Sequence, residues 1–393
     1  MKRIGFVIPW FGEGIPGGAE MELRETAKHL QAAGVEVEIL ATCVKEFSAD
    51  WNVDFYPEGT DVADGLPVRR FKVRKRDTAT FDAINLKFMT NLPVSKEEER
   101  IFLEEMVNSP DLYRYIAEHK DEYSFFIYIP YMFGTTYYGI QACPEQAVMI
   151  PCLHDESYAY MESFKEVFPK VRGMIFHARP EMELAERLYD LSGVHTKLLG
   201  EGVNMDTEGD AKRFRETYGI DAPFILYAGR KDAGKKVDLL LEYFAEYKKR
   251  NVNDVKLVLI GGGEIAIPKS VEGDVFDLGF VPKQDKYDAY AAAMMLCQPS
   301  WNESFSLVIM ESWLAGRPVL VSNKCNVTRN FAHETNGGLY FDNYPEFEGC
   351  VNYIVNHPDV ADAMGANGNS YVRSNFAWDV IIQRFIQFLE EIQ

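Results

Sequence analysis

The chain has 393 residues, 47% of them apolar and 26% charged, and a formal net charge of −19. That length exceeds what one hydrophobic core supports and calls for two domains. A field of that sign repels nucleic acid and speaks against a polynucleotide partner. No apolar run reaches the roughly 18 residues that cross a bilayer, and Met1–Arg3 leads directly into a strand-like segment, so the expectation is a cytoplasmic protein without a secretory leader.

In chain order, short β-type runs alternate with helix-length amphipathic stretches, which predicts parallel sheets covered by helices. The first half offers strands at Arg3–Ile8, Val35–Leu40, Val68–Val73, Phe125–Ile129, Ala147–Ile150 and Gly173–Phe176. Helices are expected at Gly18–Ala33, Glu97–His119, Tyr158–Phe168 and Pro180–Tyr189, while Asp77–Ser95 matches neither period and reads as an excursion. The pattern restarts near Pro223, with strands Phe224–Tyr227, Lys256–Ile260, Val275–Leu278, Met294–Gln298 and Pro318–Val321. Between them lie helices Val237–Arg250, Asp285–Ala293 and Ser304–Leu314. Two glycines in Gly200-Glu201-Gly202-Val203-Asn204 suit a crossing, giving domains 1–200 and 201–375. A terminal helix over Phe376–Gln393 carries Val380, Ile381, Phe385, Phe388 and Leu389 at helical spacing.

The six cysteines (Cys43, Cys143, Cys152, Cys297, Cys325 and Cys350) are scattered without a Cys-x-x-Cys pair, and buried free thiols are expected rather than disulfides or zinc. Six of the eight residues from Arg69 to Arg76 are basic. Such a run is either a solvated face or a contact for an anionic acceptor or an acidic membrane surface.

Gly12-Glu13-Gly14-Ile15-Pro16-Gly17 matches the dinucleotide fingerprint letter by letter, but Pro16 interrupts it and no acidic residue ends the second strand. Gly17-Gly18-Ala19-Glu20 fits better as a helix start with free N–H groups for a phosphate, or else as a flexible loop of small residues. In the second half, Gly229-Arg230 follows a strand and Lys235 precedes a helix. Cations at the C-terminal end of a parallel strand suit a diphosphate, although each alone is equally at home on a solvated surface. Pro299-Ser300-Trp301-Asn302-Glu303 then follows a strand, and the N–H groups of Phe305, Ser306 and Leu307 open the next helix. Glu311 lies two turns in, among Val308, Ile309, Met310, Trp313 and Leu314. A carboxylate there needs a hydrogen-bond donor: a ribose hydroxyl, or an internal partner such as Arg317 or Lys324.

Together these pieces resemble the family-4 retaining glycosyltransferases of GT-B fold. The resemblance adds His154-Asp155-Glu156, Gly261-Gly262-Gly263 and Glu303-x7-Glu311…Gly316-Arg317-Pro318-Val319 to the segments above. It implies two Rossmann-like α/β domains facing a central cleft, with the C-terminal helix crossing back to the first domain. It implies a nucleotide-sugar donor (UDP- or GDP-sugar), no tightly bound cofactor, no metal, and a glycan or lipid-linked acceptor. By the same resemblance Arg230 and Lys235 bind the diphosphate and Glu311 the ribose. Glu303 contacts the transferred sugar, Gly17 and Gly18 lie against the phosphates, and His154 stands near the anomeric carbon. Asp155 and Glu156 are not taken as a catalytic base. Retention through front-face displacement needs no protein nucleophile, and no Asp-x-Asp pair occurs to hold a metal. The resemblance also makes contact with the inner face of the cell membrane an expectation, through Arg69–Arg76. The chain departs from the family at Ser304 or Ser306, and at Lys236, where many relatives have glycine. Rival readings are a nucleotide-sugar epimerase or a phosphorylase of the same fold, and a non-catalytic glycan-binding partner.

Overall fold

The computed structural model describes residues 2–15 and 17–393. The chain divides into one unit of Met1–Gly202 with Trp378–Gln393, and a second unit of Val203–Ala377. Pro16, the residue that breaks the fingerprint match, lies outside the described residues, as does Met1.

The first unit runs β1 (Arg3–Ile8), α1 (Gly18–Ala32), β2 (Val37–Thr42), β3 (Gly59–Ala63), β4 (Leu66–Phe71), α2 (Thr78–Met89), α3 (Lys96–Glu105) and α4 (Pro110–His119). It continues through β5 (Tyr123–Tyr128), α5 (Gly134–Ala142), β6 (Ala147–Met149), α6 (Glu162–Val167), β7 (Gly173–Phe176), α7 (Arg179–Leu188) and β8 (His195–Leu198). Among the described residues its sheet has the order β3-β4-β2-β1-β5-β6-β7-β8, parallel except for β3 against β4.

Three expectations are corrected here. The single helix expected over Glu97–His119 is two, because Ser109 caps a new start and Pro110 takes its first position. The excursion Asp77–Ser95 contains α2, capped by Asp77 and anchored by Phe81, Ile84 and Phe88. Its outward Leu86 and Met89 are exposed, and those apolar residues blurred the period. The hairpin β3–β4 was missed although Asp64-Gly65, both at positive φ, form the turn that such a pair of residues favours.

The second unit runs α8 (Ala211–Tyr218), β9 (Phe224–Ala228), α9 (Val237–Arg250), β10 (Lys256–Ile260), β11 (Val275–Asp277), α10 (Lys283–Ala292) and β12 (Met295–Gln298). It ends with α11 (Leu307–Leu314), β13 (Val319–Ser322), α12 (Asn326–Thr335), β14 (Gly338–Phe341), α13 (Tyr344–Asn356) and α14 (Pro358–Asn375). Its sheet is wholly parallel among the described residues, in the order β11-β10-β9-β12-β13-β14. The last helix, α15 (Trp378–Ile392), returns to the first unit. Arg172, just before β7, donates to Ile392 O at 2.7 Å, and Phe388 and Ile392 lie over Gly173.

Among the parallel strands of each sheet the order reverses once. In the first unit this falls between β1 and β5, and in the second between β9 and β12. At such a point adjacent loops leave in opposite directions and open a crevice at the C-terminal strand ends.

Candidate functional site

In the second unit that reversal gathers most of the expected donor-site residues. Gly229 follows β9, and its amide donates to Ile260 O at 2.9 Å. Gly261 packs so closely beneath that a Cβ there would lie 2.1 Å from Gly229 O, which locks the β9 and β10 loops together. Arg230 projects outward, its side chain 73% exposed and its nearest acid, Asp232, 3.6 Å away. Lys231 turns inward instead and pairs with Asp277 at 2.5 Å. Lys235 reaches across from the β9 loop to the β12 loop, where its Nζ donates to Glu303 Oε1 at 2.6 Å. Gln298 supports the same oxygen from 3.3 Å. Two residues 68 positions apart thus form one ion pair at the switch point.

The next helix begins later than expected. Its cap is Ser306 at φ 77°, and Leu307, not Ser304, is its first residue. Phe305 serves the core, with its ring against Phe331 and Phe376. Ser306 is buried, and its hydroxyl has no hydrogen-bond partner among the described residues. Lys236, which caps α9, is also left-handed at φ 57°, and its ammonium lies 4.4 Å from the centre of the Trp301 ring. Both departures from the family's glycines therefore fall on backbone that glycine tolerates best.

Glu311 does have internal partners, though not those anticipated. Lys286 Nζ donates to Oε1 at 2.5 Å and the Tyr290 hydroxyl to Oε2 at 2.9 Å, both from α10. Burial and the adjacent carboxylate push Tyr290 well above the usual phenol range. Arg317 bonds Ala291 O, and Lys324 pairs with Asp342. The helix periodicity gave Glu311 its address, but the α10 face that meets it was not legible.

In the first unit Gly17 caps α1, and a Cβ on it would lie 1.8 Å from Glu20 Oε2. Trp10 Nε1 donates to the other oxygen of that carboxylate at 2.5 Å. Gly18 is open, with nothing within 4 Å of where a Cβ would sit. His154 is partly exposed, with Nδ1 3.6 Å from Glu156, which accepts from the Tyr131 hydroxyl at 2.9 Å. Asp155 is tied to Tyr160 and Arg187.

The basic run is largely compensated. Arg69 bonds Glu38, Arg70 is buried on Asp61, and Arg74 bonds Glu105. The Arg76 guanidinium lies over Trp51 and Phe81, and burial lowers its pKa. Lys72 and Lys75 stay exposed. Among the described residues no helix is long and apolar enough to cross a membrane.

Sequence reasoning missed a buried cluster in the first unit. His177, just past β7, holds Glu22 of α1 at 2.5 Å. Glu181 accepts from the amides of His177 and Leu153, each at 2.7 Å. Burial alone would lower the His177 pKa, but Glu22, Glu181 and Glu201 outweigh it and push it up to about 10. No local signal marks this group, since its members come from distant segments.

Parallel α/β units of this kind, the second with its charged loops at a switch point, define the GT-B class of fold. The likeness to solved structures extends over whole chains: a sucrose-phosphate synthase from Thermosynechococcus elongatus superposes with a TM-score of 0.72 at 18% identity, covering 100% of this chain and 99% of that one. HepE of Anabaena in complex with UDP and glucose gives 0.67 at 14% identity, covering 100% of both chains. Residues 210–371, within the second unit, match the model of the family described as glycosyl transferases group 1. A D-inositol 3-phosphate glycosyltransferase of Xylanimonas cellulosilytica is 28% identical over 229 residues, 52% of this chain and 54% of that protein. The chain spans about half the length of the first curated relatives it matches.

Proposed function

We propose that this protein transfers a sugar from a nucleoside-diphosphate sugar to a glycan or lipid-linked acceptor in cell-surface polysaccharide or glycolipid synthesis. The observation that carries the reading is the Lys235–Glu303 pair, with Arg230 beside it, at the reversal between β9 and β12. Arg230 is exposed and only loosely paired, so its guanidinium can fork onto phosphate oxygens. Lys235 would turn from Glu303 toward the diphosphate as charge grows on it, freeing Glu303 for the sugar hydroxyls. The α11 amides from Leu307 onward and the Ser306 hydroxyl supply neutral donors to the same phosphates. Glu311, oriented by Lys286 and Tyr290, would accept from the ribose.

With cations and amides stabilising the leaving diphosphate, its own oxygen can take the acceptor proton on the face where the new bond forms. That route retains configuration and requires neither a protein nucleophile nor a metal. Gly17 and Gly18 are proposed as phosphate ligands, and His154 as a neighbour of the anomeric carbon, on the resemblance alone. UDP is favoured over GDP by the UDP complex of HepE. A membrane-bound acceptor would meet Lys72 and Lys75 rather than the whole basic run.

A thermal-shift panel of UDP, GDP, ADP and their sugars tests the donor, since a ligand stabilises according to its affinity. The proposal expects one uridine or guanosine diphosphate to stand out, and Arg230→Ala to abolish the shift. Turnover of the nucleotide-sugar to its epimer without acceptor would point instead to an epimerase.

A further inference from the structure

The first unit brings together Glu22 of α1, Cys152 beyond β6 and His177 beyond β7, whose ligand atoms all lie within 4.8 Å of one another. We infer that these three side chains form a binding site for a thiophilic divalent cation of the zinc type, distinct from the donor-binding residues of the second unit. The geometry has one carboxylate at its centre. His177 Nε2 meets Glu22 Oε1 at 2.5 Å, and the Cys152 thiol donates to Glu22 Oε2 at 3.6 Å.

Two protons on two donors therefore point at one acceptor from different sides. A divalent cation seated there takes the place of the thiol proton, which leaves to solvent, and binds the thiolate and the carboxylate together with the neutral imidazole nitrogen. Zinc bonds of about 2.0–2.3 Å place neighbouring tetrahedral ligands roughly 3.3–3.6 Å apart. The sulfur stands 3.6 Å from Oε2 and the imidazole nitrogen 2.5 Å from Oε1, so the Glu22 carboxylate has to rotate to offer one oxygen between the two donors.

The surroundings fit a metal better than a bare ion pair. The second nitrogen of His177 faces Glu181 Oε2 at 3.7 Å, which sets a second carboxylate beside the imidazole. Glu181 is itself held by the amides of His177 and Leu153. Cys152 adopts φ 50°, uncommon for a non-glycine residue, and its sulfur is turned toward Glu22. Thiolate and imidazole select zinc-like ions over magnesium or calcium, and three protein ligands leave one position open. The bound ion would clip α1 to the ends of β6 and β7.

The test uses the full chain stripped of metal with a chelator and titrated with Co²⁺, then Zn²⁺. The expected result is one Co²⁺ per chain, a thiolate-to-cobalt charge-transfer band, its loss when Zn²⁺ is added, and release of at least the Cys152 thiol proton per ion in weak buffer. Cys152→Ala, which leaves the His177–Glu22 contact in place, should lose the band and at least tenfold in affinity. Wild-type protein that shows no such band overturns the inference, and so does a Cys152→Ala variant that binds as tightly as wild type.

Discussion

Replacing Ser306 by glycine should make the free protein more stable and its nucleotide complex weaker. The residue sits at φ 77°, where a Cβ costs about 1–2 kcal/mol. Its hydroxyl is buried without a partner among the described residues, a further cost of about 1–3 kcal/mol. Glycine relieves both but returns roughly 0.5–1 kcal/mol in backbone entropy of the unfolded chain. The net expectation is a gain of about 1–4.5 kcal/mol, read as a higher urea midpoint for the unfolding transition of the second unit. Ser306→Ala separates the terms, because it removes the hydroxyl and keeps the strained Cβ. Lys236→Gly supplies the contrast. It relieves a similar backbone at φ 57° but gives up the contact with Trp301, so its net effect should be near zero. If the Ser306 hydroxyl awaits a phosphate oxygen, nucleotide affinity should fall about 3–10-fold in Ser306→Gly, the worth of one hydrogen bond. An unchanged or lower urea midpoint for Ser306→Gly would refute the strain argument.

Three further outcomes follow from the same geometry. Lys235→Ala should lower kcat by roughly 10²–10³-fold, as loss of a transition-state donor does, while its melting changes little; equal turnover in the variant and wild type would remove Lys235 from the reaction. Gly368→Ala should cost about 3 kcal/mol or more, because its Cβ would lie 2.1 Å from Trp313 Cγ, whereas Gly349→Ala, with nothing within 4 Å, should be neutral; matching urea midpoints for the two would show that α14 can shift off α11 freely. Asp288 contributes to the acid response of the second unit. Burial works to raise its pKa, but Arg213 and the Asp210 amide hold it below the usual aspartate value. Its contribution is therefore present above the unfolded-state value of about 3.9 and lost as pH falls through the folded one, so Asp288→Asn should flatten acid unfolding in that range.

Much of the architecture was legible because it depends on local periodicity. β1, β7, α9 and β10 lie where alternation and amphipathic spacing put them. Arg230, Lys235, Glu303 and Glu311 could be singled out because each stands beside a strand end or in an apolar helix, positions where a charge calls for an explanation. Helix α2 and the Glu97–His119 break went astray for local reasons too: an exposed apolar face in one, and a Ser-Pro start read through in the other.

The sequence by itself determined the class of fold and the identity of the charged residues near the strand ends, since both follow from patterns within a few dozen residues. Only the tertiary structure decided which of those charges meet. Strand order sets β9 beside β12 and so joins Lys235 to Glu303, and helix packing gives Glu311 to Lys286 and Tyr290 rather than to Arg317 or Lys324. The same holds for Glu22, Cys152 and His177, which share no local pattern and meet because α1 packs over the ends of β6 and β7. Pairing across a sheet depends on the order in which strands assemble, and no window of neighbouring residues carries that order.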